Sequence, residues 1–455
     1  MRKKKEKRMI RRRVGNGVRD DAKKEESLPN ASAQDSKGKK SWLSHSLVKC
    51  MIYLLAAVGG ASFPFAVTHY RDGMIALSAS TAEVTATADA ATSKVTLTKP
   101  KSNPAVPMLN ENKDIIANLK PIFGQHRSEA NAVFALAAGY GLNVYLQLIG
   151  SLRSTGYSGD IVLATDTFDK MPPELKHYLT QQQHLILYNL RADCFKQHGG
   201  SNCQVQNLFY NTTSHQISHD VRIHRPFATL RFDVYWYWST QYLPHSKILL
   251  ADSRDVVFQA DPFRNIPSHV HSKGGALHFY EEKMPIHTSA FNMRWLKAAG
   301  YTNAQIDAFK HKPILCSGVT IGEQIAMESY LRTLLLEFDA TQCVAHGCDQ
   351  GLHNYIYYSG KLQQENPATI ANVTTYTHGT GHVINLAGLR HENKPLRELG
   401  VLIEEATVVN VDGSLPNIAH QVDRDAELAK YFRIKYNQEA RKVEAEYRAL
   451  LQSGK

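Results

Sequence analysis

The sequence predicts an α/β fold with a mixed, mostly parallel sheet and helices on both faces, preceded by an N-terminal transmembrane helix. Two observations predict it. Short apolar runs alternate with amphipathic stretches through the middle of the chain, and this spacing is typical of parallel sheets with helical crossovers. Near the N-terminus, 18 uncharged residues run from Cys50 to Val67, and a helix needs about 20 mostly apolar residues to cross a bilayer.

The predicted strands and helices alternate from residue 131 onwards. Strands are predicted for 131–137, 160–165, 184–188, 247–251, 275–280 and 314–321, and helices for 142–152, 172–181, 226–242, 324–336 and 427–452. The last of these helices is highly charged and weakly apolar on every face, so we expect it to be solvated. In sheets of this kind, ligands bind at the carboxyl ends of the strands, and functional side chains are expected there.

The positive charge of the chain is concentrated at its N-terminus. The sequence has 53 Lys and Arg against 42 Asp and Glu, and residues 1–49 hold 16 of the former and only 6 of the latter. The rest of the chain is close to neutral, which argues against a nucleic-acid partner. A basic segment before an apolar span predicts a cytosolic N-terminus and a luminal body. The alternatives are a nucleic-acid patch, a solvated arm and a cleaved secretory signal.

The sequence divides into five segments. Residues 1–49 are predicted to be a basic cytoplasmic tail, and 50–68 a transmembrane signal anchor. Residues 69–107 are rich in Ala, Ser and Thr without a helical stripe, which predicts a disordered stem. Residues 108–425 form the predicted luminal domain, and 426–455 a C-terminal charged helix.

The cysteines and the glycosylation sequons are compatible with a luminal location. Five cysteines follow the apolar span, so at least one stays free or bonds to another chain. Two pairs would each close a small loop if bonded, as an oxidising compartment permits: Cys194 with Cys203, and Cys343 with Cys348. The sequons at Asn211 and Asn372 are candidate N-glycosylation sites.

Two carboxylates directly follow the predicted strand at 247–251. Asp252 and Asp255 stand between this apolar strand and a second apolar run. Burying two acids close together is costly unless a cation neutralises them. Hard divalent cations prefer carboxylate oxygens and keep positions open for phosphate oxygens. The sequence therefore predicts a metal at the strand end, with an acidic turn that caps the strand as the alternative.

The segment Asp252-Ser253-Arg254-Asp255 resembles the Asp-x-Asp element of the GT-A superfamily of nucleotide-sugar glycosyltransferases. It has one residue more between the acids than the family pattern. The resemblance implies a GT-A (Rossmann-like) fold and a divalent metal held by the two aspartates. It also implies that Ser253 and Arg254 lie against the donor.

A later segment, Asp349-Gln350-Gly351 followed by Asn354, resembles the Asp-Gln-Gly-x-x-Asn element of family 8, the glycogenin and galactosyltransferase type. The resemblance implies that Asp349 and Gln350 lie beside the transferred sugar and the acceptor, as catalytic residues. It also favours retention of the anomeric configuration. The alternative is that Asp349 is a helix N-cap, a position that favours Asp.

Two more segments resemble parts of the same superfamily. Cys316-Ser317-Gly318 is similar to the Asn-Ser-Gly-Val turn that lines the donor pocket, which implies that Ser317 and Gly318 bind the donor. His420 resembles the late histidine that completes the metal site. Arg231, in the predicted aromatic helix, is expected to reach the donor diphosphate, as a basic residue does in similar enzymes, and Arg225 is a second candidate for the same role.

The resemblance spans roughly residues 130–425 and implies an enzyme. Its cofactor would be Mn²⁺ or Mg²⁺, its donor a UDP-sugar, and its acceptor a glycan or glycoprotein. With the predicted anchor, it implies a single-pass type II Golgi membrane protein with a luminal catalytic domain and no nucleic-acid partner. The alternatives are a non-catalytic luminal binding protein, a nucleotidyltransferase and a phosphatase, although the phosphatase motif requires a different aspartate spacing.

Overall fold

The structure is a computed structural model that describes residues 114–197, 200–269 and 274–453. The predicted cytoplasmic tail, signal anchor and stem lie outside these residues and stay predictions. Across the described part of the chain, no helix has both the length and the apolar character that crossing a membrane requires. The described residues have the predicted α/β organisation, with strands and helices alternating along the chain.

Most strands are short, and the longer ones belong mainly to one central sheet. The strands are β1 (Ile115–Ala117), β2 (Ala132–Leu136), β3 (Asp160–Thr165), β4 (Leu185–Asn189), β5 (Ala192–Gln197), β6 (Gly200–Val205), β7 (Phe209–Asn211), β8 (Gln216–Ile217), β9 (Arg225–Pro226), β10 (Lys247–Ala251), β11 (Val256–Phe258), β12 (Gly275–Pro285), β13 (Pro313–Leu315), β14 (Val319–Glu323), β15 (Ile370–Tyr376), β16 (Val383–Asn385), β17 (Leu402–Ile403), β18 (Thr407–Val408) and β19 (Ile418–His420).

The helices differ widely in length. The first, α1, is made of three consecutive segments, Leu142–Tyr145, Leu146–Gly150 and Ser151–Ser154, of which the middle one is π-helical. The others are α2 (Pro173–Thr180), α3 (Arg231–Ser239), α4 (Ala290–Ala298), α5 (Asn303–Asp307), α6 (Gln324–Thr341), α7 (Cys348–Tyr358), α8 (Lys361–Glu365) and α9 (Ala426–Gln452).

The central sheet is mixed, as predicted. Strands β4, β3, β2 and β10 lie side by side and parallel. Strand β14 continues the sheet antiparallel to β10, and β12 lies antiparallel to β14. The far edge of β12 pairs with β15 in parallel and with β13 in antiparallel orientation. The parallel half therefore ends at β10, the strand that precedes the predicted acidic motif.

Helices cover both faces of the sheet, which explains why consecutive residues in the middle of β2, β3 and β10 are apolar. Phe134 and Leu250 face one core, to which α3 and α6 contribute, whereas Val133 and Leu249 face the other, to which α1 and α2 contribute. All four side chains are buried. The predicted two-sided burial is confirmed.

The apolar run at 314–321 forms two strands, not the single strand that the sequence predicts. β13 pairs with the outer edge of β12, whereas β14 inserts between β12 and β10. Both strands run antiparallel to β12, so the chain crosses from one edge of β12 to the other without reversing, and it does so at Cys316, Ser317 and Gly318. The run is apolar on both sides of this turn, so the pattern carries no signal of the crossing.

Helix α9 is found where the sequence predicts it, but it is not solvated throughout. Leu428, Phe432, Tyr436 and Ala440 are buried at four-residue spacing, and the helix packs against α1 and α2. These side chains form one narrow apolar stripe among charged residues. The prediction of a solvated helix is wrong for the N-terminal part of α9, because one apolar stripe is sufficient for that part to pack against α1 and α2.

Both predicted cysteine pairs form disulfide bonds. Cys194–Cys203 joins β5 to β6, and Cys343–Cys348 closes the short loop that leads into α7. Within the described residues, Cys316 is the free cysteine, and it is buried. The inference that one thiol is left over is confirmed for this part of the chain.

Candidate active site

Three candidate metal ligands converge where β10 ends. Asp252 follows β10, and its backbone N–H donates to the carbonyl oxygen of Gly318 at 2.8 Å. Asp255 precedes β11, in which Val256 pairs with His420 of β19. His420 Nε2 lies 3.4 Å from Asp252 Oδ2 and 3.9 Å from Asp255 Oδ1. One ligand atom from each of the three residues lies within 4.8 Å of the others, so the structure brings the predicted metal ligands together.

The two residues between the aspartates form a turn fixed by neighbouring elements. Ser253 Oγ donates to the carbonyl oxygen of Leu136 at 2.8 Å, at the end of β2. The carbonyl oxygen of Arg254 accepts from Gln147 Nε2 at 2.7 Å. The Ser253 hydroxyl is thus engaged with the backbone, while the Arg254 guanidinium is half-exposed and pairs with Asp423 at 2.8 Å.

The ionisation of the three candidate ligands is coupled through their proximity. Burial opposes ionisation of Asp252, but Arg231 and His420 outweigh it and hold the pKa of Asp252 below its ordinary value. Burial and the nearby Asp252 charge raise the pKa of Asp255. Burial disfavours the cationic form of His420, yet Cys316 and the two aspartates raise its pKa well above the ordinary value. The site therefore favours a positive charge among these side chains.

The residues present fit a divalent cation. His420 Nε2 is buried and has no hydrogen-bond partner among the described residues, although it faces two carboxylates. A Cβ atom at Gly318 would lie 2.6 Å from His420 Cε1 and 2.7 Å from Asp252 Oδ2, so any side chain there would intrude into this space. Carboxylate oxygens suit Mn²⁺ and Mg²⁺, and imidazole is a common metal ligand.

Arg231 links the candidate metal ligands to a second acidic residue. It is the first residue of α3, and one Nη atom donates to Asp252. Its other Nη atom donates to Asp349 Oδ2 at 2.8 Å. Only 13% of the Arg231 side chain is exposed, so this charge is balanced mainly by the two carboxylates. The predicted Arg231 is thus part of the site.

Asp349 and Gln350 lie in the first turn of α7 and contact the turn between β13 and β14. Asp349 Oδ2 accepts from Ser317 Oγ at 3.1 Å, and Gln350 Oε1 accepts from the Ser317 backbone N–H at 3.3 Å. Asp349 is buried. The structure therefore groups Asp349, Gln350 and Ser317, and Arg231 joins this group to Asp252.

The alternative N-cap role for Asp349 is incorrect. The residue that precedes α7 is Gly347, whose φ of +89° favours glycine, and Asp349 is the second residue inside the helix. Farther along α7, Asn354 Oδ1 accepts from the Leu315 N–H at 2.8 Å, and its Nδ2 donates to the Leu315 carbonyl oxygen at 2.9 Å. Asn354 therefore anchors β13. Asp349 does not cap the helix, since it lies inside α7.

A cavity of about 270 Å³ opens beside the candidate metal ligands. Both aspartates line it, together with three arginines and a histidine: Arg231, Arg254, Arg424 and His346. Its remaining wall is largely apolar and aromatic and is formed by residues that include Tyr140, Phe227 and Tyr235. The cavity thus combines a carboxylate pair with cationic groups, an arrangement suited to a metal-bound anion.

Three residues singled out from the sequence lie on other elements. Asn211 ends β7, and its Oδ1 accepts from the backbone of Thr213, while Asn372 is exposed on β15. Their glycosylation stays a prediction. Arg225, considered as a diphosphate ligand, is instead buried and pairs with Asp233 and Asp339. That expectation is wrong, because β9 directs Arg225 into an internal ion network.

Besides Arg424 and His346 of the cavity wall, the structure adds two residues around the candidate site that the sequence did not predict, Asn385 and Glu282. Asn385 Oδ1 lies 2.8 Å from His420 Nδ1. Glu282 Oε1 accepts from Gln350 Nε2 at 3.3 Å and from Gln421 Nε2 at 3.4 Å. Neither belongs to a recognisable motif. The only sequence signal is a polar residue within a short apolar segment, which is too common to be specific.

No protein-family model matches this chain, and no curated protein matches it. Among solved structures it is similar to the galactosyltransferase LgtC in complex with donor and acceptor sugar analogues, at 9% identity over 68% of this chain and 95% of that one, with a TM-score of 0.36. It is also similar to the bifunctional glycosyltransferase WbbM, at 13% identity over 71% and 53% of the two chains, with a TM-score of 0.36. The glycosyltransferase GlyE of Streptococcus pneumoniae TIGR4 has 12% identity over 70% and 64%, with a TM-score of 0.32. Similarity this low establishes neither a family nor an activity.

Proposed function

We propose that this chain is a metal-dependent glycosyltransferase that moves a sugar from a nucleotide-sugar donor, a UDP-sugar, to a hydroxyl group of a glycan or protein acceptor. One observation carries the proposal. Asp252 and Asp255 line a cavity together with three arginines, and His420 converges with the two aspartates to within 4.8 Å. Carboxylates and a neutral imidazole bind a divalent cation, and guanidinium groups bind phosphate.

Mn²⁺ or Mg²⁺ would be held by Asp252, Asp255 and His420. Such an ion, when bound, supplies Lewis acidity that neutralises the charge developing on the departing diphosphate. The orphaned Nε2 atom of His420 and the space preserved at Gly318 support this assignment. Imidazole must be neutral to bind a metal, so metal affinity is expected to weaken at acid pH.

The arginines are suited to bind the donor phosphates. Arg231 is already balanced by two carboxylates, so a phosphate group that enters the cavity would compete with Asp252 for one of its Nη atoms. Arg254 and Arg424 flank Asp255, at 3.9 Å and 4.0 Å from its Oδ2. A guanidinium group can bind phosphate through two parallel N–H bonds, which orient a diphosphate as well as attract it.

In this proposal, Asp349 acts on the transferred sugar. As the bond from the anomeric carbon to the leaving phosphate breaks, positive charge develops on the sugar ring, and a nearby carboxylate stabilises it. The acceptor oxygen forms the new bond, and its proton passes to the leaving diphosphate or to solvent. Gln350 and Ser317 fix the position of the Asp349 turn. Retention of configuration is our expectation, and NMR analysis of the product's anomeric centre tests it.

We also propose a luminal, Golgi-type location with a single-pass type II anchor. The basic N-terminal tail and the uncharged run after it support this orientation. The two disulfides support an oxidising compartment. Protease protection of the C-terminal domain in sealed Golgi vesicles tests the orientation, since a cytosolic domain would be digested without detergent.

A screen of nucleotide sugars against the full-length protein tests the proposal. Thermal unfolding is measured with each UDP-, GDP- and CMP-sugar, in the presence and absence of Mn²⁺, because a ligand that binds the folded state raises its stability. The proposal predicts stabilisation by a UDP-sugar that requires the metal. If no nucleotide sugar stabilises the protein in either condition, the proposal is wrong. Metal-dependent binding without hydrolysis or transfer would favour the non-catalytic binding protein.

A further inference from the structure

Asn385 is the immediate neighbour of His420 on the side away from the carboxylates. It ends β16, which pairs in parallel with β19, so that Asn385 and His420 lie opposite each other. Both are buried, at 0% and 1% exposure. Asn385 Oδ1 and His420 Nδ1 are 2.8 Å apart, so no water separates the amide from the imidazole.

The orientation of the Asn385 amide is fixed by backbone atoms. Its Nδ2 atom donates to the carbonyl oxygens of Tyr280 and Glu281, at 3.3 Å and 3.2 Å. A flipped amide would place Oδ1 against these two oxygens, where no hydrogen could lie between them. Strand β12 therefore holds Nδ2 on its own side and leaves Oδ1 facing His420.

This orientation determines the tautomer of the imidazole. Oδ1 is only an acceptor, so His420 Nδ1 must carry the hydrogen of that 2.8 Å contact. In the neutral ring, the other nitrogen then has a free lone pair. That nitrogen, Nε2, is the atom that faces Asp252 and Asp255. A lone pair directed at two carboxylates is unfavourable, so Nε2 carries a proton when no metal is bound and is the nitrogen that exchanges this proton for the metal.

The neighbouring thiol does not compete for this role. Cys316 Sγ lies 3.6 Å from His420 Nδ1, whereas the amide oxygen of Asn385 lies at 2.8 Å. Sulfur is a weak acceptor, so the amide oxygen is the stronger partner of Nδ1.

We infer that Asn385 is the positioning residue that selects Nε2 of His420 as the metal-binding nitrogen. The inference rests on the proposed function, because it presupposes a metal held by Asp252, Asp255 and His420. Partners that fix the other nitrogen of a metal-bound histidine set its tautomer and ring orientation, and their loss costs about 10–100-fold in metal affinity.

The test compares Mn²⁺ binding to four full-length proteins by isothermal titration calorimetry after chelator treatment: wild type, Asn385→Leu, Asn385→Asp and Asn417→Leu. Asn417 is the matched control, because it is buried three residues before His420 and its Nδ2 also donates to two carbonyl oxygens, those of Pro262 and Arg264. Its amide bonds to these backbone oxygens and not to the imidazole, so Asn417→Leu reports the general effect of losing a buried amide beside β19.

We expect Asn385→Leu to weaken Mn²⁺ binding about 10–100-fold, and Asn417→Leu to bind as wild type does. Asn385→Asp keeps an oxygen for Nδ1 but sets its second oxygen against the Tyr280 and Glu281 carbonyls, so it should bind Mn²⁺ more tightly than Asn385→Leu. Equal losses in both leucine variants, or wild-type binding by a folded Asn385→Leu, would overturn the inference while leaving the metal centre intact. Absence of Mn²⁺ binding in the wild type would overturn both the inference and the proposed function.

A second measurement does not depend on the leucine variant folding. In the Mg²⁺-loaded wild-type protein with ¹⁵N-labelled histidine, NMR should detect a hydrogen on Nδ1 of His420 and none on Nε2. The signal is assigned by its absence from a His420→Gln variant. A hydrogen on Nε2 would contradict the inference, because that nitrogen would then have no lone pair for the metal.

Discussion

Asp252 and Asp349 accept hydrogen bonds from the two Nη atoms of one guanidinium group, that of Arg231. Asp252 follows strand β10, whereas Asp349 belongs to helix α7, so these residues are close only in the folded chain. Arg231 therefore couples the candidate metal site to the residues predicted to act on the sugar. A change at Arg231 is expected to affect both.

Arg231→Lys keeps the positive charge but cannot contact Asp252 and Asp349 at the same time. A single ammonium group cannot reproduce the planar two-nitrogen geometry that contacts both carboxylates. We expect kcat/KM for the donor to fall about 10²–10³-fold, the typical effect of removing one transition-state donor. Steady-state kinetics of folded protein measures it, with exposed Arg264→Lys as the control. Unchanged kinetics in Arg231→Lys would show that the bridge is dispensable.

Gly318→Ala is expected to block the metal site sterically. The added Cβ would lie within 2.6 Å of His420 and 2.7 Å of Asp252, so one of these side chains must move. We expect Mn²⁺ affinity to fall at least about tenfold. The control is Gly150→Ala in α1, where the nearest atom is the Tyr178 hydroxyl at 4.0 Å. Wild-type Mn²⁺ affinity in Gly318→Ala would mean that the cation does not lie between these residues.

Buried histidines should make the protein less stable in mild acid. Burial lowers the pKa of His353 to about 3, and those of His126 and His278 to about 4. An unfolded histidine titrates near pH 6.5, so below that pH the unfolded chain binds more protons than the folded one, and stability is lost as pH falls from about 6.5 towards 4. Urea unfolding at several pH values should show a shallower dependence for His353→Leu than for wild type or exposed His215→Leu. An identical pH dependence of stability in all three proteins would contradict the expected role of His353.

The disulfide before α7 is expected to support the position of Asp349. Cys348 is the first residue of α7 and precedes Asp349 directly, so a Cys343→Ser/Cys348→Ser protein should have a looser helix start. We expect a loss of about 2–4 kcal/mol in the free energy of unfolding, together with reduced kcat. Cys194→Ser/Cys203→Ser should lose stability without that effect on kcat. Equal kcat values for the two double variants would show that the loop does not position Asp349.

Strands with strong local signals were predicted closely from the sequence. β3 and β10 begin and end at the predicted residues, because each is an apolar run bounded by polar residues. The two aspartates were found for the same reason, since they stand where such a run ends. Their approach to His420 followed only from the family resemblance, because no local pattern connects residues so distant in sequence.

Other parts of the site depend on pairings that the sequence does not encode locally. Asn385 faces His420 because two three-residue strands, β16 and β19, pair in one register. Strands this short are too short to show a detectable alternation of polar and apolar residues. The turn at Ser317 lies inside an apolar run. Arg225 has the same residue type as Arg231, yet its strand directs it towards Asp233 instead. Tertiary packing, and not the local sequence, decides which partners such an arginine side chain contacts.

The most direct test of the central claim is the metal-dependent release of nucleoside diphosphate from the donor that the screen identifies. It is measured for full-length wild type, Asp255→Asn and Asp261→Asn. Asp261 is the matched control, because its carboxylate accepts from the backbone N–H of Phe263 and lies outside the site. We predict release by wild type and Asp261→Asn with Mn²⁺ but not with chelator, and none by folded Asp255→Asn. Metal-dependent release by Asp255→Asn at the wild-type rate would contradict the account.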